Sequence, residues 1–121
     1  MNILIVDDSL LARKSTQRLL QSKGHTTQLA SSGKEALDLS QEHHYDLMIL
    51  DLVMPGLDGI QVLEALQGRS SAPPVVVVTA DTQKLTKKEC LAAGAINVLH
   101  KPIDEEIFSI INTVTGLDTH D

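Results

Sequence analysis

The chain has 121 residues, enough for one full hydrophobic core without disulfides or metal staples. Hydrophobic residues make up 42% and aromatics only 2% (Tyr45 and Phe108, no Trp), so the core is aliphatic and a base-stacking nucleic-acid reader is disfavoured. A formal charge of -6 argues against a phosphate-backbone partner, and Cys90, the single cysteine, permits neither an internal disulfide nor a cysteine-based zinc site.

Taken in order, Ile3-Leu4-Ile5-Val6 is a short apolar run that predicts a first strand ending in Asp7-Asp8. Asp8 or Ser9 caps a helix in which Leu11, Ser15 and Leu19 fall at i, i+4 and i+8, with Ala12 and Leu20 beside them. Arg13, Lys14, Arg18 and Lys23 lie on that helix, and Gly24 stops it. His25 to Ala30 predicts a weaker strand at or near a sheet edge. Ser32-Gly33-Lys34-Glu35 reads as a capping box opening a second helix to about Glu42. Leu47 to Leu50 has no polar face and predicts a strand covered on both sides, ending at Asp51. A loop with Pro55, Gly56 and Gly59 follows, then a helix from Asp58 to about Gln67 with Ile60, Leu63 and Leu66 on one stripe. Val75 to Val78 is the most strand-like run and ends at Thr79. Asp81 or Thr82 opens a fourth helix to about Ala93, with Gly94 as its stop. Ile96 to His100 is a fifth strand, ending at Lys101-Pro102. A fifth helix runs from about Asp104 to Val114, with Ile107, Phe108, Ile110, Ile111 and Val114 inward and a polar tail beyond.

Five βα units in a row predict an α/β fold, a doubly wound parallel sheet with helices on both faces and strand order 2-1-3-4-5. Residues 1–121 read as one domain, with no linker or low-complexity stretch. No basic segment followed by an apolar one opens the chain, and no run approaches the roughly 20 apolar residues of a bilayer span. The cytoplasm is the expected location, with neither membrane nor nucleic acid as partner.

In such sheets, chemistry sits at the carboxyl ends of the strands. There the chain places Asp7 and Asp8 after strand one, Asp51 after strand three, Thr79 after strand four and Lys101 after strand five. Strands one and three are neighbours in that order, so three carboxylates converge. Their repulsion, roughly 4 kcal/mol per pair at 4 Å and an effective dielectric near 20, calls for a proton or a cation. All-oxygen ligands suit Mg²⁺. A carboxylate nucleophile, a divalent cation, a lysine and a hydroxyl make a phosphoryl-transfer site, with Asp51 attacking.

Asp7-Asp8, Asp51 with Met54-Pro55-Gly56 and Asp58-Gly59, Thr79-Ala80, Ala93-Gly94-Ala95 and Lys101-Pro102 form an ordered set. Over essentially its whole length the chain resembles a response-regulator receiver domain of two-component signalling, nearest to single-domain, chemotaxis-type regulators. The resemblance implies a flavodoxin-like (βα)₅ fold and phosphorylation of Asp51 by a histidine kinase phosphohistidine. It implies Mg²⁺ held by Asp8, Asp51 and the backbone carbonyl of Val53, with Asp7 in the outer shell. It further implies that Thr79 and Lys101 contact the phosphoryl group and that the Lys101-Pro102 peptide is cis. A histidine kinase or phosphotransfer domain is then the upstream partner. A protein target or phosphatase lies downstream, and the face of the fourth helix, fifth strand and fifth helix is its docking surface. The chain is a monomer or a phosphorylation-dependent dimer. Val98 departs from the pattern, since many members carry Tyr or Phe there. Val53 and Asp81 occupy positions that tune dephosphorylation in the family.

Competing readings are weaker. A phosphoryl sink in a relay needs no output of its own. An aspartyl-phosphate phosphatase of the haloacid-dehalogenase class wants a second Asp where Val53 stands. A flavodoxin-like cofactor binder needs a phosphate-cradling loop where Asp7-Asp8 would repel the phosphate. An inert pseudo-receiver would lack a key residue, and none is missing. His43-His44 read as surface residues, His100 as a strand residue alternating away from the site, and Cys90 as a small buried hydrophobe. Arg13, Lys14 and Arg18, like Lys84, Lys87 and Lys88, divide between a solvated helix face and a docking surface.

Overall fold

A computed structural model describes residues 1–52, 54, 56, 58–80 and 84–115. Five parallel strands, β1 (Asn2–Val6), β2 (Thr26–Ala30), β3 (Leu47–Asp51), β4 (Val75–Thr79) and β5 (Asn97–His100), form one sheet in the order β2-β1-β3-β4-β5. Between and after them run α1 (Leu10–Gln21), α2 (Gly33–Glu42), α3 (Gly59–Leu66), α4 (Lys84–Ala92) and α5 (Glu106–Thr115). This is the doubly wound parallel sheet expected from the alternating apolar runs, in the flavodoxin-like form that the resemblance implied.

The strands alternate their side chains between two aliphatic layers, as a pleated backbone requires. Leu4, Val6, Met48, Leu50, Val75 and Val77 face α2, α3 and α4, whose Ala36, Val62, Leu63 and Cys90 fill that layer. Ile3, Ile5, Leu47, Ile49, Val76 and Val78 face α1 and α5, which contribute Leu20, Ile107 and Ile111. Central strands β3 and β4 are buried at every position, and edge strand β2 alternates exposed and covered residues. Among the described residues no helix is long and apolar enough to cross a membrane.

Two local expectations are corrected. On α1 the inner face keeps Leu19 and Leu20, which pack in the core as expected, but not Leu11, 82% exposed, or Ser15, also exposed; the buried residue in their place is Thr16. The true stripe carries a threonine, which an apolar-periodicity reading passes over. On α2, Ser32 Oγ accepts from Glu35 N–H at 3.1 Å, but the Glu35 carboxylate turns to the Ser31 N–H at 2.7 Å, so the box is only half made. A reciprocal box forms instead on α3, between Asp58 and Gln61. The expected helix openers Asp81 and Thr82 lie outside the described residues.

Candidate functional site

The acidic site lies where the apolar ladders end. Val6 pairs with Leu50, so the next residues on the two strands, Asp7 and Asp51, stand side by side at the sheet's carboxyl end. Both are buried, at 4% and 5% exposure. Asp8 follows at the surface, and the carboxylate oxygens of Asp7, Asp8 and Asp51 lie within 4.8 Å of one another. At that spacing two unit charges repel by about 3–4 kcal/mol for an effective dielectric near 20. The cluster therefore needs positive charge.

Part of it comes from Lys101, one residue past β5. Its Nζ lies 2.8 Å from Asp7 Oδ2 and 3.4 Å from Asp51 Oδ2. Burial pulls this ammonium's pKa down, but the hydrogen bond to Asp7 and the charges of Asp51 and Asp7 outweigh it and hold the pKa above the ordinary lysine value. Lys101 is thus a fixed cation at neutral pH. The backbone aims it: Lys101 N–H donates to Thr79 O at 2.9 Å, and the Lys101-Pro102 peptide is cis, as the resemblance implied. Thr79, 1% exposed, ends β4 between the Asp51 and Lys101 strands.

Three carboxylates against one lysine leave net negative charge, with the exposed Asp8 on the open side. That donor set fits a hard, oxygen-seeking divalent cation that keeps part of its water shell. Asp7, Asp8, Asp51, Thr79 and Lys101 thus all lie at the carboxyl ends of β1, β3, β4 and β5. Val53 and Asp81 lie outside the described residues.

The loop after Asp51 is held from two directions. Leu52 N–H donates to Val78 O at 3.0 Å, and Gly59 N–H donates to Leu52 O at 2.9 Å. A Cβ on Gly59 would sit 2.8 Å from Leu52 Cα and 3.0 Å from Asp51 O, so only glycine lets α3 start this close to the site. Of the other residues weighed from sequence, His100 is exposed, Cys90 is buried, and His44 is exposed and pairs with Asp46 at 3.3 Å. One contact was missed. Arg13 Nη1 donates to Asp7 O at 2.6 Å. The i+6 spacing from Asp7 to Arg13 was available, but Lys14 and Arg18 look the same in sequence.

Comparisons with known proteins agree with this geometry. A family model for the response regulator receiver domain matches residues 3–112. Response regulator MprA of Mycolicibacterium vanbaalenii is 36% identical over 120 residues, covering 98% of this chain and 52% of that protein. The chain spans about half the length of this relative, and 44% of the related MprA of Mycobacterium tuberculosis. Among solved structures, the Francisella response regulator 1452 receiver domain superposes with a TM-score of 0.88 at 29% identity, covering 98% of each chain. Response regulator protein TrrA of Thermotoga maritima, solved in complex with Mg²⁺-BeF, gives a TM-score of 0.83 at 27% identity, covering 93% of this chain and 97% of that one. With the match spanning nearly all of its length and the acidic pocket in place, the chain belongs to the response regulator receiver domain family, a family of phosphorylation-dependent signalling switches.

Proposed function

We propose that this chain accepts a phosphoryl group on Asp51 from a phosphohistidine of a histidine kinase or phosphotransfer domain, with Mg²⁺, and signals by protein contact. The observation that carries the reading is Lys101 bridging Asp7 and Asp51 beside the exposed Asp8. An Asp51 carboxylate oxygen forms the new P–O bond as the P–N bond to the donor imidazole breaks and its electron pair stays on that imidazole. Lys101, a permanent cation, balances charge on the phosphoryl oxygens and serves as neither base nor acid. Thr79 supplies a hydroxyl donor. By the resemblance, Asp8, Asp51 and the Val53 carbonyl would hold the Mg²⁺, with Asp7 in its outer shell. When bound, Mg²⁺ supplies further neutralisation of phosphoryl charge. The complex of TrrA with Mg²⁺-BeF, at 27% identity, supports the choice of metal and of phosphoryl chemistry.

The chemistry is confined to the chain's own carboxylate. The donor meets the molecule beside α1, where Leu10 is 59% exposed and Lys14 and Arg18 are exposed. The face of α4, β5 and α5 carries output, in the cytoplasm, to a protein target or phosphatase. Chemotaxis is the pathway the resemblance favours. A relay sink without its own output is the second reading, favoured by Val98. This half-buried aliphatic residue packs in the α2–α4 layer and has no ring to carry a Thr79 shift outward.

Beryllofluoride, a phosphoryl mimic, tests the proposal by heteronuclear NMR. With Mg²⁺ present, saturable shifts are expected at residues 7–8, 51, 79–80 and 100–101, and none in Asp51→Asn. Shifts that persist in Asp51→Asn would reject Asp51 as the acceptor.

A further inference from the structure

We propose that Arg13 is a positioning residue for the cation site, acting through the Asp7–Asp8 peptide group. The inference rests on Asp8 as a cation ligand. Asp7 is held at every polar atom. Its N–H donates to Ala30 O at 3.1 Å, Oδ1 accepts from Ser9 N–H at 2.9 Å, Oδ2 accepts from Lys101 Nζ at 2.8 Å, and its carbonyl accepts from Arg13 Nη1 at 2.6 Å. Asp8 is different: no hydrogen bond or ion pair joins its carboxylate to another described residue. What directs Asp8 is its backbone. The Asp7 carbonyl belongs to the planar peptide that leads into Asp8, so holding that oxygen holds the plane from which the Asp8 side chain springs.

Arg13 is suited to this hold. It stands one turn into α1, its own N–H on Ser9 O at 3.0 Å, and it is half-buried where Lys14 and Arg18 are exposed. A guanidinium donating to a carbonyl makes a charge-assisted bond, stronger than a neutral one. Partners of this kind behind a metal ligand commonly alter affinity by roughly 10–100-fold when removed.

The sign of the effect separates positioning from simple charge. Removing a cation near a cation site tightens Mg²⁺ binding by Coulomb's law alone, whereas losing the hold on the peptide weakens it. Mg²⁺ titrations by calorimetry on wild type, Arg13→Met, Arg13→Lys and Asp8→Ala read this directly. Arg13→Met is expected to weaken Mg²⁺ about tenfold, and Arg13→Lys, still a charged donor, to restore most of it. Binding by Arg13→Met at or above wild-type affinity would overturn the inference, as would equal losses in both Arg13 variants. Loss in Asp8→Ala without loss in Arg13→Met removes this inference alone; no loss in Asp8→Ala removes the ligand reading beneath it. Should Arg13→Met fail to fold, the wild-type Arg13 guanidinium NMR signals decide. Signals that shift along the Mg²⁺ isotherm support the proposal, and signals blind to Mg²⁺ overturn it.

Discussion

Lys101 is the residue through which the site and the stability of the fold are joined. Its ammonium lies between two buried carboxylates, and breaking a buried pair by removing one partner costs more than the pair contributes. With its side chain 26% exposed, solvent screens part of that cost. Lys101→Met is expected to lose about 1–3 kcal/mol in chelator, read from urea midpoints, while still binding Mg²⁺. A variant as stable as wild type would contradict the pairing. The raised pKa of Lys101 gives a contribution fully present below the ordinary lysine value and lost only as pH rises above it. At the far end of the sheet His25 contributes to the acid limb, as does Asp46, whose pKa is lowered chiefly by the backbone N–H of Asn2. Among the described residues the buried Nδ1 of His25 has no hydrogen-bond partner, its ring stacks on Phe108 at 6.3 Å, and Lys23 Nζ lies 5.8 Å from the same Phe108 ring. Burial, then the nearby N-terminal charge, lowers the His25 pKa below 6.5. The unfolded chain therefore takes the proton first, and stability falls as pH drops below 6.5 toward the folded value. His25→Gln should flatten urea midpoints over that interval, and an unchanged slope would exclude His25 as the cause. Of these residues the five at the strand ends were legible, because each is a polar group closing an apolar run. The roles of Arg13 and His25 were not, because a side chain's direction and burial do not show in spacing.

At the scale of elements, the turn from β3 into α3 places Asp51. Gly59 lets the helix begin against Leu52, and the reciprocal Asp58–Gln61 cap fixes that beginning. Gly59→Ala forces backbone apart rather than a flexible side chain. A loss of about 1–3 kcal/mol is expected, with weaker Mg²⁺ binding because Leu52 adjoins Asp51. Wild-type stability and affinity in this variant would show that the close approach is not needed. All five strands were legible to within a residue, the central ones because a strand buried on both faces is a plain apolar run. The α1 face was legible only in part: Leu19 and Leu20 were read correctly, but Thr16 and the half-buried Arg13 share the face with them. The half-made box on α2 also escaped sequence. Ser-x-x-Glu spacing marks the start of a helix, but Glu35 chooses between two neighbouring N–H groups by local geometry.

For the molecule as a whole, strand order does what no single motif does. Order 2-1-3-4-5 makes β1 and β3 neighbours and puts β4 and β5 beyond them, so residues far apart in the chain meet at the carboxyl end of the sheet. Lys101 and Asp7, 94 positions apart, are joined at 2.8 Å there, the long lysine side chain reaching back from β5 across the end of the sheet. The net charge of -6 concentrates part of its repulsion there, so a bound cation should stabilise the whole fold. At this end of the sheet Asp51 is proposed to be a cation-dependent phosphoryl acceptor. The most direct test is the intact mass of the protein after incubation with Mg²⁺ and a small acyl phosphate, wild type beside Asp51→Asn. One phosphoryl adduct is expected on wild type, absent with chelator and absent in Asp51→Asn. An adduct of the same extent on Asp51→Asn, or one indifferent to chelator, would contradict the account.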